Sequence, residues 1–260
     1  MNVCQVEELK RWFEAYSSSF FGSDDFVNRH LQMKREHTLR TCEGILHLAK
    51  ELSLDGNETC IAETVALLHD IGRFPQFTTF RTYNDAKSIN HCALGIDVLL
   101  REGVLKSLDE QERSWVETAI AHHGQKSLPE NLNGPALLFL KLIRDADKLD
   151  IFRIVIQRYR SYQEDPGEIL LELPDEPKIS PEVLEAVLNG RLIDYGDLHT
   201  FNDFKLCQIG WVYDMNFPAS LEKLESGKIL DEMFSFLPQS PEIAEVRSRI
   251  RSYIASRTRD

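Results

Sequence analysis

Residues 62–74 read AETVALLHDIGRF, and the helical period of this segment indicates the fold class. Its small and aliphatic residues recur three or four positions apart, which predicts an α-helix with one apolar face. His69 falls on that face, Asp70 follows it, and Gly72 ends the helix just beyond. A carboxylate facing a core is costly unless it is compensated, so the end of this helix is expected to open into a polar cleft.

The same helical period runs through most of the chain. It predicts helices over 3–20, from the capping run at 23–25 to about 54, and over 58–71, 86–102, 109–123 and 135–162. Further helices are expected over 180–189, 203–215, 218–236 and 241–254. An aromatic loop is expected over 75–84, and 169–173 is a single strand candidate that cannot form a sheet by itself. The predicted fold class is therefore all-α.

Prolines and a glycine cluster after residue 163 and suggest an irregular connection. The expected organisation is one helical domain over 1–162, with its motifs between 30 and 160. A C-terminal helical extension over 163–260 is expected to pack on the same core.

Composition limits the possible functions. The formal net charge of −12 argues against a broad nucleic-acid-binding surface. No apolar run is long enough for a membrane span, and the first residues do not resemble a signal peptide. The five cysteines form no CxxC pair, which favours reduced thiols and a cytoplasmic setting.

Several charged or imidazole side chains occupy helix faces that are otherwise apolar. Asp147 shares a stripe with Leu140, Ile143 and Ile151, a position that needs a cation or several hydrogen bonds. Pairing with an arginine is one explanation and metal binding is another.

Histidines repeat this pattern on separate predicted helices, at His37, His69, His91 and His122. Each alone is more often a core or surface histidine. Together with Asp70 and Asp147 they form the donor types that first-row metal ions prefer. His123 is an alternative to His122 as ligand, or a contact to substrate.

These residues occur in the order H…HD…H…H…D, in the strings LLHDIGRF (67–74), NHCALGIDVLL (90–100), AIAHHG (119–124) and RDADKLD (144–150). The pattern resembles the HD superfamily of metal-dependent phosphohydrolases, in its dinuclear form and without a GYP signature. The resemblance implies an HD-domain helical bundle.

It further implies two divalent metal ions. His37, His69, Asp70 and Asp147 would hold the first ion, and His91 and His122 the second, with Asp70 bridging. Iron or manganese is expected, with magnesium, nickel and cobalt left open.

The expected reaction is cleavage of a phosphomonoester, phosphodiester or phosphoanhydride bond by a metal-activated hydroxide. Asp70, Arg73 and Lys148 are the catalytic candidates, and Arg73, Lys148 and His123 the substrate-binding candidates. Arg73 is equally explained as a helix-end cation, and Lys148 as an ion-pair partner of Asp145. The expected partner is a phosphorylated small molecule, in particular a nucleotide, and a homodimer is left open.

Two other functions fit the same residues. A di-iron HD-type oxygenase has nearly the same ligands, and a non-catalytic metal- or nucleotide-binding module could retain them. Metal identity and an oxygen-dependent assay separate the oxygenase from a hydrolase, and the retained full ligand set counts against the binding module.

Overall fold

The computed structural model describes residues 1–164 and 173–259, with all side chains except those of 162–164. Every regular element in these ranges is helical, which confirms the all-α class. The strand candidate at 169–173 lies outside the described residues except for Leu173. The helices are α1 (Val3–Ser18), α2 (Asp25–Glu51), α3 (Gly56–Leu68), α4 (Arg73–Phe80), α5 (His91–Glu102), α6 (Glu110–His122), α7 (Gly134–Glu164), α8 (Pro181–Leu188), α9 (Phe201–Gly210), α10 (Pro218–Ser226), α11 (Ile229–Ser235) and α12 (Pro241–Arg257).

The chain divides into two compact units, Met1–Asp150 and Ile151–Asp260. In the first, α3 is the central helix and contacts α1, α2 and α6. Apolar residues cover it almost all round, as expected for a helix buried on every side. Asp55 begins it with a capping box, accepting from the Glu58 backbone N–H at 2.8 Å.

A close backbone contact follows the end of α3. A Cβ atom added to Gly72 would lie 2.2 Å from the carbonyl oxygen of His91 and 2.7 Å from the backbone nitrogen of Gly95. Only glycine permits this approach. It brings the residues just after α3, including Asp70, against the first turn of α5.

The predicted loop at 75–84 is wrong for residues 75–80, which form most of α4. Phe74 and Phe77 are 0% and 2% exposed, so burial stabilises a short helix that local propensity does not predict. Pro75 lies in its first turn, where a missing N–H costs no hydrogen bond.

Helix α5 begins at His91, later than the predicted residue 86. Asn90 caps it by accepting from the Ala93 backbone N–H at 2.8 Å. A single turn of 3-10 helix, Asp85–Lys87, precedes it.

In the second unit, α9 contacts α8 and α11, and α12 contacts α8 and α10. Asp203 is fully buried and accepts from Ser180, His199 and Thr200 at 2.7–3.0 Å, so this carboxylate fixes the entry to α9. The single helix expected over 218–236 is interrupted at Lys228, whose φ is 54°.

The boundary between the compact units falls within α7. The domain limits of 1–162 and 163–260, and the packing of the extension on the same core, remain predictions. No helix in the described ranges is both long and apolar enough to cross a bilayer.

Candidate metal centre

Four segments of the first unit bring five of the candidate ligands together. His37 lies in the middle of α2, and His69 and Asp70 follow directly after α3. His91 is the first residue of α5, and Asp147 lies in α7. Helix ends supply three of these residues, so the turns as well as the helix faces determine the site.

A first group of donors surrounds one oxygen of Asp70. His37 Nε2 lies 3.7 Å from Asp70 Oδ2 and 3.0 Å from Asp147 Oδ1. His69 Nε2 lies 3.6 Å from Asp70 Oδ2 and 3.7 Å from Asp147 Oδ1. These are the four residues that the family resemblance implies for the first ion.

A second group of donors surrounds the other oxygen. His91 Nε2 lies 3.7 Å from Asp70 Oδ1, and His123 Nε2 lies 3.8 Å from the same oxygen. The two Nε2 atoms are 3.2 Å apart. Each oxygen of Asp70 therefore faces a different set of imidazole nitrogens.

Two carboxylates outside these groups orient two of the imidazoles. Asp150 Oδ2 lies 2.7 Å from His37 Nδ1, and Asp85 Oδ2 lies 2.6 Å from His91 Nδ1. An ionised carboxylate only accepts hydrogen bonds, so each Nδ1 carries the proton and Nε2 presents its lone pair to the centre. Carboxylates hold metal-binding histidines in this way in many proteins.

Backbone carbonyls orient the other two imidazoles. His69 Nδ1 donates to the carbonyl of Ala66, and His123 Nδ1 to the carbonyl of Ile120, both at 2.8 Å. All four histidines are thus held in the same tautomer, with Nε2 toward Asp70.

The residues fit divalent metal ions. Nε2 of both His37 and His69 is buried and makes no hydrogen bond to the described residues, which is costly for a polar atom that no ion satisfies. Donors about 2.1 Å from one ion lie roughly 3.0–3.4 Å apart, and the separations found here, 3.0–3.8 Å, need only a slight contraction. Imidazole and carboxylate are also the appropriate donors chemically.

The structure brings His123, and not His122, to the second group. The buried face of α6 continues into His123, running through Glu112, Val116, Ala119 and Ile120. The prediction of His122 assumes that Trp115, on the same stripe of α6, is buried in the core. Trp115 is only half-buried. His122 is half-buried too and joins neither donor group of the described chain.

Two cations flank Asp70. Lys34 Nζ lies 2.6 Å from Oδ2, and Arg73 Nε lies 3.4 Å from Oδ1. Burial raises the pKa of the Asp70 carboxyl, but Lys34 and His69 hold it well below its usual range. Lys34 was not among the predicted site residues, although its position three residues before His37 on α2 placed it on the same face.

Arg73 is held by several hydrogen-bond acceptors, whereas the Lys148 ammonium lies near a backbone carbonyl of its own helix. Arg73 donates to Asp85 at 2.8 Å, and also to the Gln76 side chain and the Tyr83 carbonyl. Lys148 Nζ lies 3.5 Å from the carbonyl of Arg144, one turn earlier in α7.

Asp85 and Asp150 were not predicted as site residues. Asp150 follows Asp147 by three residues and so shares its helix face, a signal present in RDADKLD. Asp85 precedes His91 by six residues in a non-helical segment, and no periodicity could indicate it. Asp150 is also held by Arg40, at 2.6 Å, and His37 and Arg40 lower its carboxyl pKa against the effect of burial.

A thiol lies beside the second group. Cys92 Sγ is 3.4 Å from His91 Nε2 and 3.5 Å from His123 Nδ1. Burial raises its pKa, but the neighbouring His123 and His91 lower the pKa of Cys92 to about 5.

Comparison with known proteins places these residues in one family. A family model described as HD domain matches residues 35–151, a range that includes both donor groups and Asp150. No curated protein and no solved structure gives a significant match. Residues 35–151 match the HD domain family of metal-dependent hydrolases, the family that the sequence pattern resembles.

Proposed function

We propose that this protein is a metal-dependent phosphohydrolase that cleaves a phosphomonoester, phosphodiester or phosphoanhydride bond of a small molecule, in particular a nucleotide. The observation that carries this proposal is the position of Asp70, whose two oxygens face two donor groups while Lys34 and Arg73 lie beside them. With two divalent ions bound, Lys34 and Arg73 would add to a net positive charge, which matches a phosphate with several negative oxygens.

His37, His69, Asp70 and Asp147 would hold one ion, and Asp70, His91 and His123 the other. Iron or manganese is proposed, with magnesium, nickel and cobalt as alternatives. When bound, the ions supply Lewis-acid activation of water and charge compensation at the phosphate.

Lys34 and Arg73 are proposed to bind phosphate oxygens. The Lys34 side chain is 15% exposed, so its flexible ammonium can contact both Asp70 and a ligand. Arg73 is held by several acceptors and would orient the phosphate from a fixed position. The ring centroid of Tyr83 lies 5.3 Å from Lys34 Nζ and 5.8 Å from Arg73 Cζ, which places an electron-rich face beside both cations.

The proposed role of one residue differs from the prediction made from the sequence. His123 is proposed as a metal ligand instead of a substrate contact, because its Nε2 faces Asp70. Lys148, whose ammonium lies 3.5 Å from the Arg144 carbonyl, stays a prediction as a catalytic and phosphate-binding residue. A homodimer remains a prediction.

The proposal is tested by elemental analysis of the purified full chain, together with a screen for phosphate release from nucleotides and simple phosphate esters. We expect close to two ions per chain and hydrolysis that falls to the buffer background in Asp70→Ala. Asp97→Ala is the matched control, because Asp97 is an exposed aspartate on α5, with a side chain 67% exposed. Bound ions with oxygen uptake and no phosphate release would contradict the proposal in favour of the oxygenase.

A further inference from the structure

Cys92 differs from the other buried cysteines in its surroundings. Its side chain lies in the first turn of α5, is almost fully buried, and contacts two imidazoles of the second donor group. Cys42, which is buried to a similar extent, lies instead 4.0 Å from the Glu63 carbonyl. The sulfur of Cys92 is therefore placed among metal-binding side chains.

The spacing of the sulfur suits coordination. Sulfur and nitrogen donors at about 2.3 and 2.1 Å from one ion lie roughly 3.6 Å apart. Cys92 Sγ and His91 Nε2, the nitrogen that faces Asp70, are 3.4 Å apart. His91, Cys92 and His123 also form one of the two compact groups of potential metal donors in the described residues.

Gly124 keeps the space around this sulfur open. A Cβ atom at position 124 would lie 3.1 Å from Cys92 Sγ and 3.0 Å from His91 Cε1. A side chain at this position would therefore approach both residues more closely than an ordinary van der Waals contact, and glycine avoids this contact.

The two donor groups then differ in chemistry. The first, around Asp70 Oδ2, contains only nitrogen and oxygen donors. The second adds a sulfur to two nitrogens and an oxygen. Thiolate donors favour zinc and iron, whereas oxygen donors suit magnesium and manganese.

We propose that Cys92 is a ligand of the second ion and makes this site selective for a thiophilic divalent ion. The inference rests on the metal centre of the proposed function. On binding, the thiol releases its proton to solvent and its sulfur donates to the ion. The first site, without sulfur, remains tolerant of harder ions, so the protein can hold two different metals.

The test is a cobalt(II) titration of the ion-free full chain, followed by absorbance and by elemental analysis. Sulfur bound to cobalt(II) gives an intense charge-transfer band in the near ultraviolet, which nitrogen and oxygen donors do not give. We expect the band in the wild type and in the control Cys42→Ser, and its loss in Cys92→Ser.

Two bound cobalt ions without the band in the wild type would overturn the sulfur ligand and leave the dinuclear centre intact. This comparison needs no variant, so it remains decisive if Cys92→Ser does not fold. Persistence of the band in Cys92→Ser would also overturn the assignment. Failure of the wild type to bind cobalt would instead contradict the proposed metal centre itself.

Discussion

Replacing Asp85 by asparagine should weaken one metal site and spare the other. The Asp85 carboxylate accepts from His91 Nδ1 at 2.6 Å, and from Arg73 and Gln76 at 2.8 Å. An amide can present only one accepting oxygen. If its oxygen stays with Arg73 and Gln76, its NH2 group faces His91 Nδ1, and two donors oppose each other.

His91 would then have to move its proton from Nδ1 to Nε2, which removes the lone pair that faces Asp70. Loss of such a supporting carboxylate costs about 10–100-fold in metal affinity. This range corresponds to about 1.4–2.8 kcal/mol at 1.4 kcal/mol per tenfold. We expect a loss of this size for the second ion and an unchanged affinity for the first.

The assay is calorimetric titration of the ion-free full chain with cobalt. Asp97→Asn, on the exposed face of α5, is the control and should bind both ions like the wild type. Asp150→Asn supplies the converse case, because Asp150 supports His37 in the first group. If Asp85→Asn binds both ions with wild-type affinity, the orientation of His91 by Asp85 does not contribute to the affinity for the second ion, which would contradict this prediction.

Three further predictions test individual residues. His123→Ala should bind one ion fewer by elemental analysis while His122→Ala keeps both, and the reverse result would restore His122 as ligand. Lys34→Met should raise KM for a hydrolysed phosphate substrate about tenfold through loss of a charge-assisted hydrogen bond, so an unchanged KM would remove Lys34 from substrate binding. Gly72→Ala should lower the free energy of unfolding by about 1–3 kcal/mol in denaturant titration. The control Gly56→Ala, with open space at its Cβ, should not lower it. Equal stability of the two variants would contradict the close contact of Gly72 with α5.

The helical class and most of the candidate site could be predicted because helix periodicity in the sequence indicates both. Asp147 interrupts an apolar stripe, and His69 and Asp70 end an apolar helix, so both are visible without a structure. The preference for His122 over His123 depended on which face of α6 is buried. Its true buried stripe begins at Glu112 and reaches position 123 three turns later.

The remaining features depend on contacts between distant parts of the chain. Helix α4 is stabilised by burial of Phe74 and Phe77, which a short segment does not reveal. Asp85 contacts His91 because a short 3-10 turn places it there, and no periodicity of the sequence predicts the course of this turn. Lys34 could have been identified, because it lies one turn before His37 on the same helix.

Anomalous diffraction from crystals of the iron-loaded full chain, measured at the absorption edge of iron, shows whether Asp70 bridges two metal ions. We expect two peaks, one beside each carboxylate oxygen of Asp70. One should lie with His37 and His69, and the other with His91 and His123. A single peak, or peaks that do not contact Asp70, would show that Asp70 does not bridge two ions.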